Sequence, residues 1–462
     1  MSAARMMDTA AAAHAVQGRV IGDAVTFARV TTDSRAIAPG DLFVALKGER
    51  FDGHDFVPQA FADGAAAAVV AEERAALLAG NLIAVADPQQ ALEALAQHWR
   101  GRFDLPVVAV CGSNGKTTTK EMIAVIFRAH VGASHVLATS GNLNNAIGLP
   151  LTLLRLRDSH RLAVVEIGMN HRGETADLAA IARPSVVVVT NAQREHQEFM
   201  QSVAEVAAEH ADAIAALPAG GVAVINADDE YADVLTAAAR KAQATIVEFG
   251  LARRATVTAQ ASLGAENSQL ELRTPVGDAT VTLAVPGGHM VANALAAAAA
   301  ALAVQVPVPA IVAGLGSFRP LAGRLTMRQG VHGVRVIDDS YNANPDSVRA
   351  AVDVLANAGG RRWLVLGDMG EVGTMGPAFH REIGEYAREA GVENLLGLGV
   401  LTPATVDAFG AGAAHCVNAE ALVTQLLDSV AAGDTILVKG SRFMRMERIV
   451  AALVGDNAAG AH

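Results

Sequence analysis

Residues 107–120 read Val107-Val108-Ala109-Val110-Cys111-Gly112-Ser113-Asn114-Gly115-Lys116-Thr117-Thr118-Thr119-Lys120. A short run of β-branched and small apolar residues passes into a glycine turn and then into a helix-compatible stretch reaching Arg128. That order, strand then glycine turn then helix, is the grammar of a parallel α/β unit. A glycine turn at a helix N-terminus aims backbone N–H groups at a phosphate, a lysine in it reaches the outer phosphates, and the next hydroxyl can ligate Mg²⁺. Gly112, Asn114, Gly115, Lys116, Thr117 and Thr118 are therefore the candidate nucleotide-binding residues, with Thr117 a metal ligand. Val110 stands where the pattern G-x-x-x-x-G-K-[ST] has its first glycine, so the match is not strict. The bland alternative is a lysine in an ordinary strand–helix turn.

Working outward, Leu162–Ile167 and Val186–Thr190 are further apolar runs, each followed by a turn and a helix-compatible segment. Near-continuous apolar strands imply a sheet buried on both faces. Glu166 ends one of these strands, where an open α/β sheet places its ligands, and a carboxylate there suits the hard Mg²⁺ ion; otherwise it faces solvent. His196 lies just beyond the next strand, but a lone histidine is more often structural than a ligand. Upstream, Asp41–Leu46 and Ala65–Val70 read as strands and Gln89–Arg100 as a helix, with Pro106 opening the next unit. Downstream, Ala255–Val285 reads as antiparallel strands, and an alanine-rich helix begins near Ala292. Phe318–Arg324 is a linker, followed by strand runs Val334–Ile337, Trp363–Leu366 and Thr435–Val438. The expected fold is α/β in three domains. Residues 1–104 form an N-terminal α/β domain, 105–318 a central P-loop-type ATPase domain with a mainly parallel sheet, and 319–462 a Rossmann-like domain.

Composition removes whole classes of function. A formal net charge of −11 argues against nucleic acid as a partner. A hydrophobic content of 52% excludes a disordered chain. Cys111 and Cys416 are the two cysteines, too few for a disulfide framework or a four-cysteine zinc site, so a reducing, cytoplasmic location is expected. Cys111 is read as packing. The longest apolar run, Ala294–Val304, falls short of the roughly 20 residues of a membrane span, and residues 1–20 lack a leucine-rich leader core. No membrane insertion is expected.

The segment Gly112-Ser113-Asn114-Gly115-Lys116-Thr117-Thr118 resembles the phosphate loop of the Mur ligases, ATP-dependent amide-forming enzymes of peptidoglycan synthesis, whose loop also lacks the first glycine. In the first domain, Thr32-Asp33-Ser34-Arg35, Pro39 to Gly48 and Asp52 to Phe56 are similar to the family's UDP-sugar segment, which implicates Ser34, Arg35 and Lys47. Thr139 to Leu149, Asp338 to Pro345, Leu366 to Glu371 and Val438 to Arg442 resemble the branch that adds D-alanyl-D-alanine.

The resemblance implies transfer of the ATP γ-phosphoryl group to the terminal carboxylate of a UDP-muramoyl tripeptide. Attack by the amine of D-alanyl-D-alanine on the acyl phosphate would follow. Lys116 and Mg²⁺ held by Thr117 and Glu166 would neutralise the two anionic reactants. By the same resemblance His196 would hold a second Mg²⁺, making Lys116, Glu166 and His196 the catalytic group. Relatives place a carbamylated lysine about a dozen residues past that histidine. Here Glu209-His210-Ala211-Asp212 stands instead, so either His210 ligates or an acidic neighbour substitutes. Gln193-Arg194-Glu195 replaces the small residues usual before the histidine.

His289 and Asn293 resemble the family's adenine contacts; Asn293 is otherwise a helix cap. Arg324, just past the linker, would touch phosphate when the domains close, or be a surface arginine. Asp339, Tyr341, Asn342 and Asn344 would meet ribose and dipeptide, along with Asn142, Asn144 and Asn145; Tyr341 is otherwise core. Lys439, Ser441 and Arg442 would take the dipeptide's carboxylate or form a polar loop. A monomer with open and closed arrangements is expected. Other ligases of the superfamily should lack the strings at 142–145 and 338–345. A dinucleotide site fails because the glycines at 367, 370 and 373 miss G-x-G-x-x-G. A non-catalytic UDP-sugar-binding module would have no need of Lys116 or Glu166.

Overall fold

The valine run before the glycine turn is an interior strand of a six-stranded, all-parallel sheet. Its order is Thr245–Phe249, Val222–Asn226, Val186–Val189, Val107–Cys111, Leu162–Glu166, Val136–Ala138. In this computed structural model residues 5–455 are described; residues 1–4 of the stretch read for a leader, and residues 456–462 of the third unit, lie outside it. Helices cover both faces of the sheet, so every residue of Val107–Cys111 is almost fully buried. Burial of that kind stabilises by about 1.5–3 kcal/mol per large apolar side chain. The register pairs Glu166 with Val110 and Val189 with Cys111. Parallel strands in register end together, so Glu166, Gly112 and Thr190 emerge at one edge.

The helix Lys116–Val131 leaves the glycine turn and packs against Gly288–Ala303 and Val308–Ser317. The alanine-rich helix begins at Gly288, four residues before the sequence suggested, because Gly287 at φ 101° turns the chain into it. His289 and Asn293 therefore sit inside its first turns, not ahead of it. Ala294–Ala301 is wholly buried, and alanine there lets neighbouring backbones approach closely. The stretch read as antiparallel strands is a three-stranded sheet, Thr258–Leu263, Ser268–Arg273 and Ala279–Leu283. Its middle strand alternates buried and exposed residues, the pattern of a sheet wet on one face.

The first unit is a five-stranded sheet, ordered Arg19–Ile21, Leu82–Val85, Ala67–Ala71, Asp41–Val44, Arg29–Thr31, parallel except for its first strand. Helix Pro88–Arg100, capped by Asp87, ties it to the centre. Trp99 Nε1 donates to Leu156 O at 3.1 Å, and Arg100 Nε donates to Ala182 O at 3.0 Å. The third unit orders Thr326–Gln329, Arg335–Asp339, Thr435–Lys439, Arg362–Gly367, Asn394–Leu398, Ala413–Cys416, parallel apart from its first pair. This is the Rossmann-like sheet expected. The segment 318–324 between the units carries no helix or strand, yet Phe318 is buried in it. No described helix is long and apolar enough to cross a membrane.

Both cysteines are buried and unpaired. Burial pushes the Cys111 thiol up to about 12 and raises that of Cys416. A thiolate is the reactive form, so the native protein should leave both thiols untouched by a disulfide reagent at pH 8. Denaturation should then release two per chain. Titration of Cys111 in the native state would contradict its packing role.

Candidate active site

The glycine turn is shaped from both sides. Gly112 has φ 121°, and a Cβ there would lie 2.1 Å from Thr190 Oγ1. Gly115 has φ 82°, and its Cβ would fall 2.3 Å from Asn293 Oδ1. Only glycine meets either demand. The strand end at Thr190–Asn191 fastens the turn. Thr190 Oγ1 donates to Asn114 O at 2.7 Å, and Asn191 Oδ1 accepts from Asn114 N at 2.8 Å. Gly115→Ala should therefore reduce nucleotide affinity at least tenfold, because the Cβ needs about 1 kcal/mol or more of strain besides displacing Asn293. Calorimetric titration with a nucleotide checks it; unchanged affinity would mean that the turn does not hold the phosphates.

Asn293 is not a cap. It is buried within the alanine-rich helix, where its Oδ1 accepts from Thr119 Oγ1 at 3.3 Å. Lys116 folds back on its own loop: Nζ donates to Gly112 O at 2.5 Å, Ser113 O at 3.0 Å and Glu195 Oε2 at 3.1 Å. Glu195 is buried, and burial pushes its carboxyl up. The Lys116 charge and the His210 hydrogen bond more than reverse that and hold it at about 2. His210 thus sits behind Glu195, with Nε2 3.1 Å from Glu195 Oε1 and 1% of its side chain exposed. It does not line the cavity, and its helix Val203–Ala215 buries it there. His210, expected as a ligand in its own right or beside an acidic ligand, is instead turned onto Glu195, and its neighbour Glu209 accepts from Gly173 N at 2.9 Å and Thr175 N at 2.9 Å.

Glu166, 2% exposed, accepts through Oε1 from Asn144 Nδ2 at 2.7 Å, while Oε2 has no partner. A buried carboxylate oxygen without a partner is costly and calls for a cation. With the Thr117 hydroxyl and His196 beside the same cavity, the oxygen-rich set fits a hard divalent ion such as Mg²⁺.

One cavity of about 1350 Å³ joins these groups, large enough for more than one ligand. Lys116, Thr117, Glu166 and His196 line it, as do Asn142, Asn144, Asn145, His289, Asn293, Arg324, Asp339, Tyr341, Asn342, Asn344, Lys439, Ser441 and Arg442. Burial lowers the His289 pKa, favouring the neutral ring. Arg324 stacks over the Tyr341 ring at 4.0 Å, so Tyr341 is a cavity wall and not core. Several candidates are already engaged. Lys439 Nζ donates to Asp339 Oδ2 at 2.5 Å and Asn342 O at 2.9 Å, and Ser441 Oγ donates to Ala343 O at 2.9 Å. Asn145 Oδ1 accepts from Gly148 N at 2.9 Å, a turn role. Arg442 is mostly exposed and pairs with Glu447. Ser34, Arg35 and Lys47 lie in the first unit, away from this cavity; Arg35 pairs with Asp33 on an exposed 3₁₀ turn.

Sequence reasoning missed Arg194 and Glu195 as site residues, although their departure from small residues was the signal. Gln193 Oε1 accepts from Asn114 Nδ2 at 2.8 Å, Arg194 reaches into the third unit, and Glu195 holds Lys116.

Three family models match the chain: the Mur ligase family catalytic domain over residues 26–100, the Mur ligase middle domain over 110–301, and the Mur ligase glutamate ligase domain over 323–442. The UDP-N-acetylmuramoyl-tripeptide–D-alanyl-D-alanine ligase of Escherichia coli (strain K12) is 40% identical over 442 residues, covering 95% of this chain and 96% of its own. The crystal structure of MurF from Acinetobacter baumannii superposes with a TM-score of 0.91 at 33% identity, covering 97% of this chain and 99% of that one. MurF ligase from Thermotoga maritima in complex with ADP gives 0.81 at 26% identity, covering 93% and 97%.

Proposed function

The chain belongs to the Mur ligase family, and we infer that it joins D-alanyl-D-alanine to UDP-N-acetylmuramoyl-tripeptide with cleavage of ATP to ADP and phosphate. The carrying observation is that the phosphate loop and the third unit share one cavity: Asn344 Nδ2 donates to Asn114 Oδ1 at 2.9 Å across it. That closeness supports a reaction between a nucleotide on the loop and a second substrate on the third unit.

The reaction sets an anionic carboxylate against an anionic triphosphate, so charge neutralisation and alignment carry most of the catalysis. Backbone N–H groups of 112–118, at the start of helix Lys116–Val131, cradle the phosphates. Lys116 exchanges Glu195 and two loop carbonyls for the γ-phosphate. Thr117, Glu166 and His196 would hold Mg²⁺, which supplies Lewis-acid neutralisation of phosphate charge when bound. A carboxylate oxygen of the tripeptide forms its bond to the γ-phosphorus as the bond to ADP breaks. The dipeptide amine then attacks the acyl carbon, loses a proton and expels phosphate. His289 and Asn293 flank the adenine, Arg324 the phosphates and Asp339 the ribose. The wall made by Asn142, Asn144, Tyr341, Asn342 and Arg442 receives the acceptor and the dipeptide, whose free carboxylate suits the Arg442 guanidinium. Ser34, Arg35 and Lys47 hold the UDP end from the first domain.

Phosphate release measured with UDP-muramoyl tripeptide, with and without D-alanyl-D-alanine, tests the reading. Strict dependence on both substrates is expected; equal release with neither would mark an idle hydrolase.

A further inference from the structure

The turn 193–198 touches two units at once. Its Gln193 and Glu195 hold the phosphate loop, while Arg194 crosses to the third unit. There Arg194 Nε and Nη2 donate to Asp346 Oδ1 at 3.1 and 2.6 Å. Its Nη1 and Nη2 donate to Glu382 Oε2 at 2.6 Å and Oε1 at 3.0 Å. The backbone N–H of the same residue donates to Asp346 Oδ2 at 2.9 Å. Arg349 adds a second cation on Glu382 at 2.9 Å, and the Arg194 guanidinium lies 5.3 Å from the Phe379 ring centre. Burial lowers the Arg194 pKa, but its hydrogen bonds to Asp346 and Glu382 raise it well above the usual value, so the group stays charged. Two residues further on, His196 Nδ1 lies 2.7 Å from Glu371 Oε2, and Glu198 N donates to Glu371 O at 3.1 Å. His196 (φ 49°) and Glu371 (φ 57°) both adopt the left-handed region that non-glycine residues avoid. Such strain persists only where the surroundings over-determine it.

Arg194 lines the cavity, yet most of its guanidinium N–H groups are spent on two carboxylates of the third unit. A planar fork gripping one carboxylate in bidentate fashion, in a network with a second, is the arrangement in which an ion pair is worth most and lysine substitutes worst. The catalytic groups Lys116 and His196 are joined to this turn through Glu195 and the chain itself.

We propose that Arg194 is a positioning residue, an interdomain latch whose grip on Asp346 and Glu382 couples closure of the third domain to the placement of Lys116 and His196. The latch rests on the ligase reading for what it positions, but its conformational effect can be measured without turnover. The chain's own residues make the coupling: opening breaks the Asp346 and Glu382 contacts and frees the turn that holds the phosphate loop.

The test compares Arg194→Ala, Arg194→Lys, Asp346→Asn with Glu382→Gln, and all three neutralising changes together, in the full-length protein. Small-angle scattering with ATP analogue and UDP-tripeptide reads closure, and steady-state kinetics separates KM for the dipeptide from kcat. Arg194→Ala should expand the particle and lower kcat/KM for the dipeptide by about 5- to 150-fold, the usual span of a coupling between sites. Nucleotide affinity should fall less than kcat/KM for the dipeptide, since the phosphate loop keeps its own hydrogen bonds to Thr190 and Asn191. Arg194→Lys should recover part of the loss. The carboxylate variant should resemble Arg194→Ala, and the combination should lose no more than either, as a shared contact requires. A lower melting temperature with unchanged scattering and kinetics would overturn the latch, and so would fully additive losses. Changed scattering in a protein whose wild type makes no phosphate would remove the ligase reading and leave the latch standing.

Discussion

Replacing Lys116 by alanine is expected to abolish phosphate release, by at least about a thousandfold in kcat/KM, while UDP-substrate affinity stays within a small factor. Two effects combine. The ammonium that should meet the γ-phosphate is gone, and Glu195 loses the partner 3.1 Å away that balances its charge. A buried carboxylate left with only the two histidines His210 and His196 beside it then faces an incoming triphosphate and repels it. The contacts of Lys116 run to Gly112, Ser113 and Glu195, not to the first domain proposed to hold the UDP end, so binding there should survive. Phosphate release and equilibrium binding of the UDP-tripeptide separate the two. Normal turnover in the variant would defeat the mechanism.

Glu166→Gln should be nearly as damaging, by about a hundredfold or more in turnover, with a Mg²⁺ requirement shifted upward by about tenfold. The amide oxygen can still accept from Asn144, so the strand end keeps its hydrogen bond, but the charge offered to the ion disappears. Since Oε2 has no protein partner, neutralising it should leave the melting temperature unchanged or slightly higher. That sign matters: a purely structural carboxylate would destabilise when neutralised. A Mg²⁺ titration of activity beside a thermal melt distinguishes the cases. Wild-type Mg²⁺ dependence with a depressed melting temperature would place the ion elsewhere.

The strand runs at 107, 162 and 186 and the glycine turn could be read directly, because period, glycine placement and a following amphipathic stretch are local properties of the chain. The remaining strands of the central sheet were less visible. Val136–Ala138 is three residues long, and Thr245–Phe249 is a half-buried edge carrying Thr245 and Glu248. The start of the alanine-rich helix was misplaced because Gly287, a positive-φ entry, looks in sequence like any loop glycine. Arg194 defeated local reading for a different reason. Its partners lie 152 and 188 positions away, and no pattern in a window announces a contact at that distance. His210 differs for another reason: it stands where relatives carry the carbamylated lysine, which suggested a metal role, whereas the helix Val203–Ala215 turns it inward onto Glu195.

The account stands on a carboxylate being phosphorylated before an amide forms. UDP-muramoyl tripeptide carrying ¹⁸O in its terminal carboxylate, turned over with ATP and D-alanyl-D-alanine, tests that step by mass spectrometry of the released phosphate. One carboxylate oxygen should appear in the phosphate and the other remain in the new amide. Phosphate free of ¹⁸O would mean that nucleotide cleavage and peptide-bond formation never share an oxygen atom, contradicting the roles given to Lys116, Glu166 and the cavity between the domains.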